Sequence, residues 1–331
     1  MVKGIITTHR YESKVLKTNP LGDPTERDVI VYIPPGYVQS KSKGYVAAFG
    51  LAGFGGQGRS FLNIDPLSEN LEHRMNRLVS SKKCGPLMLV LVDCFTKYGG
   101  NQYINSVATG RYEDYIIQEI VPFIDEKYNV SSRAVWGKSS GGYGSFVLAT
   151  RNPSIFSGFA DHSGDAAFEY CYLPDFPKAL DSFRKAGGPR PWLVNFLKKQ
   201  NRHQKVDSAP LNILAMAAHY SPNPKAKQLG IDLPFDCQTG EINEKVWNRW
   251  AAWDPTRLVH KYRANLRKLK LIYIDCGKTD EFNLICGARI LHDKFEKLRI
   301  VHYYEEFDDG HMNINYRYDV SLPKIYDALS N

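Results

Sequence analysis

Residues 134–144, AVWGKSSGGYG, restrict more than any other segment what this chain can become. A short β-branched and aromatic run leads into Gly137-Lys138-Ser139-Ser140-Gly141, and a helical stretch follows to Thr150. The pattern is G-x-S-x-G between a strand and a helix. Small residues on both sides of the central serine let strand and helix approach without Cβ clashes. Such a turn strains the serine backbone and projects its oxygen above a helix N-terminus, which favours developing negative charge. Ser139 is the expected nucleophile, and Ser140 the expected donor of one backbone N–H to an oxyanion. A glycine turn that merely packs tightly is the plainer reading, and the strand–turn–helix setting argues against it.

The surrounding chain alternates apolar runs with helical periodicity. Extended segments are expected at 5–16 and 28–33, and buried strands at 45–50 and 87–92, where apolar residues run without alternation. Tyr115, Ile116, Glu119, Ile120 and Phe123 fall at helical spacing within an amphipathic helix over 110–128 that carries Pro122. Further strands are expected at 134–136, 156–161, 269–275 and 301–307, with a helix over 286–298. This order predicts an α/β fold, a mostly parallel sheet with helices on both faces. Between about 165 and 268 the alternation stops, with helical pieces near 178–186, 192–200 and 244–252. So long a connection reads as an insertion capping the site of a single domain spanning 1–331.

A nucleophilic serine needs a base and a group to orient it, in this fold in the order Ser, Asp or Glu, His. Asp280 lies beyond the C-terminal end of the 269–275 strand, where catalytic groups gather in open α/β sheets, with Glu281 as the fallback. Asp275 sits within the strand and reads as structural. His311, in Asp308-Asp309-Gly310-His311, follows the final strand and is the expected base. His162 also follows a strand, but it precedes the acid. The second oxyanion donor is expected in the loop at 49–53, at Leu51, where Gly50 would let the chain turn.

Composition excludes several other classes. The 331 residues carry a net charge of +8, but the basic clusters (Lys41 with Lys43, Lys82-Lys83, Lys198-Lys199, Lys225 with Lys227) are short and not interleaved with aromatic residues. Nucleic-acid binding is not expected from such a pattern; a mild preference for anionic substrates is. The six cysteines show no CxxC spacing, and neither a signal peptide nor a membrane span is written, so a cytoplasmic protein with no membrane partner is expected. Assembly with further copies of the chain is left open. Gly53–Gly58 satisfies G-x-G-x-x-G, but the acidic residue a dinucleotide site needs comes too late, at Asp93. A P-loop would need glycine where Ser132 stands, and Asp308, Asp309 and His311 lack a completing metal ligand.

GKSSGGYGS, NQYINSVATGRYEDYIIQEIVPFID, LPFDCQTGEINEKVWNRWAAWDP, DCGKTDEF and DGHMN together resemble the Putative esterase (esterase-D-like) family of α/β-hydrolases. That family includes S-formylglutathione hydrolases, enterochelin and feruloyl esterases and mycolyltransferases. The resemblance runs from about Asp28 onward and is most specific at the elbow and over 100–125. It implies a Ser139–Asp280–His311 triad, with Leu51 matching the family's oxyanion leucine, and acyl-enzyme chemistry on a small ester or thioester without a cofactor. Lys138 departs from the histidine many relatives carry before the serine and is a candidate substrate contact, as are Tyr103 and Trp192. Acyl transfer to an alcohol or sugar would use the same triad. A catalytically silent binding protein is the reading from another class.

Overall fold

The computed structural model describes residues 3–40, 42–226 and 229–330; Lys41 and Lys227, members of two basic clusters, lie outside the described residues. Along the chain come strands β1 (Ile5–Glu12), β2 (Glu26–Ile33), β3 (Tyr45–Leu51) and β4 (Met88–Val92), and a two-residue pair, β5 (Asn105–Ser106) with β6 (Gly110–Arg111). Then follow β7 (Val130–Lys138), β8 (Gly158–His162), β9 (Leu271–Gly277) and β10 (Tyr303–Phe307). Among the described residues, eight of them form one sheet in the order β1-β2-β4-β3-β7-β8-β9-β10. The β1–β2 and β2–β4 pairings are antiparallel and the remainder parallel. This is the α/β-hydrolase fold.

Strands β3 and β4 explain why their apolar runs do not alternate. Ala47, Phe49, Met88 and Val90 enter the core on one face of the sheet, and Val46, Ala48, Leu89 and Leu91 enter the core on the other. The second face is covered by helices Leu71–Ser80 and Tyr318–Leu329, which contribute Leu71, Met75, Leu78, Leu322 and Ile325. The first is covered by the elbow helix Ser140–Arg151, the 112–127 helical run and the helix Leu284–Lys297.

Several expectations needed correction. The first strand ends at Glu12, not at 16, because the Glu119 carboxylate accepts from the Ser13 hydroxyl (2.5 Å) and from the N–H groups of Lys14 (2.8 Å) and Val15 (3.1 Å). These backbone donors turn inward and are lost to the ladder. The 110–128 helix is not uniform: residues Tyr115–Ile120 form a π-helical turn just before Pro122. Proline cannot donate the N–H that a continuous α-ladder requires at that point, and a π-turn accommodates the gap.

Between β8 and β9 the chain forms, among others, helices Phe176–Ala186, Pro189–Lys198, Lys205–Tyr220 and Glu244–Ala251. Their buried side chains, including Phe183, Trp192, Ile213, Leu214 and Trp250, belong to the same core as the first face of the sheet. No helix among the described residues is long and apolar enough to cross a membrane.

Candidate active site

At the C-terminal end of β7, Ser139 adopts φ +59° and ψ −127°, a backbone conformation that L-residues rarely occupy. Neighbouring contacts over-determine it: its N–H donates to the His162 carbonyl (2.9 Å), and its carbonyl accepts from the Tyr143 N–H (2.9 Å). The flanking glycines are required by space. A Cβ on Gly141 would lie 2.0 Å from the Leu51 carbonyl oxygen, and one on Gly137 would lie 2.5 Å from the Gly141 backbone. Strand β3, the elbow and the helix therefore meet backbone to backbone.

Beside the elbow is a cavity of about 400 Å³. Leu51, Lys138, Ser139, Ser140 and His311 line it, with apolar walls from Phe54, Phe61, Phe282 and Met312. The 163–270 stretch contributes Asp165, Tyr172, Asp175, Ser208 and Asn212. The cavity lies at the C-terminal end of β7, the end of the sheet where ligands gather in open α/β folds.

The residues expected as base and orienting group come from two loops. His311 Nδ1 lies 2.8 Å from Asp280 Oδ2, and both side chains are buried. The other Asp280 oxygen accepts from the N–H groups of Phe282 (2.9 Å) and Leu284 (3.3 Å), at the start of the helix Leu284–Lys297. Glu281 takes a different place: its Oε2 accepts from the backbone N–H of His311 at 2.6 Å. One carboxylate holds the ring and its neighbour holds the main chain. Phe282 packs edge-on against the imidazole, with ring centroids 4.9 Å apart. An acceptor at Nδ1 keeps the proton there and leaves Nε2 with its lone pair.

His162, the rival histidine, belongs to a second Ser–His–Asp set. Its Nδ1 is 2.7 Å from Asp275 Oδ1 and its Nε2 is 2.8 Å from Ser321 Oγ, and all three residues are completely buried. Asp275 Oδ2 also accepts from Tyr273 (2.9 Å) and Arg317 (2.8 Å). Burial alone would raise the pKa of Asp275, but His162 and Arg317 outweigh it and hold the carboxyl below its usual range. The His162 set is closed off from solvent, whereas Ser139 and His311 both line the cavity. The buried network ties the C-terminal helix to β8 and β9, and through the His162 carbonyl to Ser139. Asp275→Ala is expected to cost about 3 kcal/mol, because it strands the fully buried His162 imidazole and removes one partner of the half-buried Arg317 guanidinium. Urea unfolding measures this, and a loss under about 1 kcal/mol would remove the network from that role.

Not every expected residue reaches the cavity. Tyr103 is buried; its hydroxyl donates to the Ala52 carbonyl (2.5 Å), and its ring lies where a Cβ on Gly144 would come within 2.3 Å. It clamps the loop after β3 onto the elbow helix and does not line the cavity. Trp192 stacks on Phe196 (5.1 Å, 12°) and meets Phe183 edge-on inside the helical stretch, so packing claims it too. Gly50 does not turn the chain. It remains in β3, where a Cβ would meet Leu91 and Trp136 at 2.9 Å, so its role there is close packing. Leu51 still lines the cavity, with its backbone against Gly141.

Lys138, Arg74, Glu69, Asp165 and Asp175 bring charged side chains to the cavity wall. Burial lowers the Lys138 pKa, partly offset by nearby Asp280 and Glu281. Asp165 was not singled out from the sequence, although it too lies just past a strand end. Burial raises its pKa, opposed by hydrogen bonds, foremost from Tyr172 (2.9 Å). Gln102 Nε2 lies within 2.9 Å of Ser140 Oγ and 3.3 Å of Asp165 Oδ2, linking the two.

The model of the family described as Putative esterase matches residues 24–326. No curated protein matches the chain significantly. Among solved structures, a ferulic acid esterase superposes with a TM-score of 0.62 at 18% identity, over 99% of this chain and 100% of its own. An S-formylglutathione hydrolase from Agrobacterium tumefaciens gives 0.61 at 15% identity, over 99% of this chain and 97% of its own. A fluorophosphonate-binding serine hydrolase from Staphylococcus aureus gives 0.59 at 14% identity, over 99% of each chain.

Proposed function

The chain belongs to the Putative esterase family and is a hydrolase of ester bonds, and from that premise we propose that Ser139, His311 and Asp280 perform the hydrolysis through an acyl-enzyme. The observation that carries this reading is the strained Ser139 backbone beside a cavity that His311, bonded to Asp280, also lines. In the first step His311 Nε2 removes the Ser139 proton as Oγ attacks the acyl carbon, and Asp280 holds the proton on Nδ1. Charge passes to the carbonyl oxygen, where the Ser140 and Leu51 N–H groups are assigned as donors, each worth about 3 kcal/mol. Collapse breaks the bond to the alcohol or thiol, which leaves with the proton from His311. Water, deprotonated by His311, then attacks the acyl-enzyme and frees the acid, and Ser139 regains its proton.

The stretch between β8 and β9 is assigned as a cap, because Tyr172, Asp175, Ser208 and Asn212 wall the cavity from that side. Acyl transfer differs only in the second nucleophile, and an added alcohol that accelerates turnover and appears in the product would identify it. The test of the chemistry is reaction with a fluorophosphonate followed by peptide mapping. A single adduct on Ser139 is expected; no adduct, or one elsewhere, overturns the assignment.

Lys138 bears on the substrate class. Its ammonium is largely desolvated, lines the cavity, and makes no hydrogen bond or ion pair among the described residues. A substrate anion placed there would gain a charge-assisted hydrogen bond. Lys138→Met is expected to lower kcat/KM for p-nitrophenyl hemisuccinate by about 10-fold or more, while p-nitrophenyl butyrate is little affected. An unchanged ratio between the two esters would dismiss the idea.

A further inference from the structure

Away from the cavity, the helix Leu284–Lys297 and the segment entering β10 bring together three side chains with metal-binding donors. His292 and Glu296 are four residues apart and share one face of the helix, and His302 stands immediately before Tyr303. One nitrogen from each imidazole and one Glu296 carboxylate oxygen lie within 4.8 Å of one another. None of the three lines the cavity that holds Ser139.

The hydrogen bonds define which lone pairs are offered. His302 Nδ1 lies 2.8 Å from the Ile300 carbonyl oxygen, which can only accept, so Nδ1 carries the hydrogen. His302 Nε2 then presents a lone pair, and it faces His292 Nδ1 at 2.8 Å. A backbone carbonyl on the far nitrogen is the usual outer support of a metal-bound histidine, fixing tautomer and ring orientation. Both rings are also held by packing. His292 stacks on Tyr304 at 4.3 Å with planes 7° apart, and Phe295 meets His302 edge-on at 5.0 Å. The His302 side chain is 2% exposed and that of Glu296 67%, with Glu296 Oε1 3.9 Å from His302 Nδ1, so the carboxylate stands on the solvent side and swings past the ring edge to reach an ion at Nε2.

We propose that His292, Glu296 and His302 bind one divalent ion of the zinc, copper or nickel kind. Two imidazoles and a carboxylate suit these ions, and solvent can supply the remaining position. The ion takes the place of the proton now shared between the two rings. The His292 hydrogen passes from Nδ1 to Nε2 by way of solvent, and Nδ1 becomes a neutral ligand. Two nitrogens on one tetrahedral ion stand about 3.3 Å apart, so the rings separate by about half an ångström. The ion would join a helix that begins just past Asp280 to a strand that ends just before His311. It therefore braces the two loops that carry the proposed acid and base without entering the chemistry.

The test is calorimetric titration of zinc chloride into the chelator-treated full chain at neutral pH. One ion per chain is expected, with affinity weakened about 100-fold by His292→Ala and about 10-fold by Glu296→Gln. Both variants should keep wild-type hydrolysis of p-nitrophenyl butyrate, since neither residue belongs to the catalytic cavity. Saturating zinc should raise the melting temperature of the wild type and not that of His292→Ala. Absence of binding, or equal binding by wild type and both variants, overturns the proposal. So does loss of binding on reaction with a fluorophosphonate, because that places the ion at His311.

Discussion

Ser139→Ala is expected to lower kcat for p-nitrophenyl butyrate by about 10⁶-fold, the scale of loss when a serine hydrolase is deprived of its nucleophile. The substitution removes one oxygen that faces a cavity and leaves the elbow backbone to be held by the His162 carbonyl and the Tyr143 N–H. Alanine meets the same cost at φ +59° as serine does, so the unfolding free energy should change by less than about 1 kcal/mol. Reaction with a fluorophosphonate should vanish in the same variant. Ser140→Ala is the informative control, because Ser140 is assigned a role through its backbone N–H and its hydroxyl is engaged with Gln102 and Asp165. It should retain far more activity than Ser139→Ala. Full activity in Ser139→Ala would refute the nucleophile assignment, whatever the family of the chain.

The next largest effect separates two adjacent carboxylates. Asp280→Asn is expected to reduce kcat by about 10⁴-fold, because an amide that donates to Nδ1 forces the wrong imidazole tautomer. Glu281→Gln should cost less than about 10-fold, since its amide oxygen can still accept from the His311 N–H. Both variants keep the shape of the side chain they replace, so circular dichroism and melting curves should stay close to wild type. The measured pair of rates decides the assignment. If Glu281→Gln were the more damaging, the orienting acid would be Glu281, and the Asp280 contact to the ring would be structural.

Much of the architecture was legible in local pattern. The apolar runs of β3, β4 and β9 announced buried strands, because a strand covered on both faces needs no polar side. The G-x-S-x-G turn was legible because backbone contact leaves no room for side chains at Gly137 and Gly141. The two longest helices that the local pattern did not announce, Lys205–Tyr220 and Tyr318–Leu329, each contain a proline, Pro210 and Pro323. An interior proline argues against a helix, and tertiary burial offset that local cost. The first of them also lacks a polar face, with Leu214, Ala215, Met216, Ala217 and Ala218 all buried, so no helical period stands out.

The candidate site divides along the same line. Chain order and strand ends were enough to single out Ser139, Asp280 and His311, because an open parallel sheet presents its loops at one edge. Sequence could not assign distinct tasks to Asp280 and Glu281, which differ only in which atoms of His311 they reach across 30 residues or so of intervening chain. Nor could it foresee that Tyr103 and Trp192 would be consumed by packing while Asp165 and Phe282 would face the cavity. The sharpest case is the pair of Ser–His–Asp sets. Composition supplies serine, histidine and aspartate to both, but Ser139 stands in a strained turn and lines the cavity, whereas Ser321 is fully buried within a helix. What the sequence alone determined was where the chain must turn and which residue types stand at the turns, since those are local steric matters. Which of them meet, and which of the meetings a substrate can enter, was decided by the closing of the sheet and its helices around them.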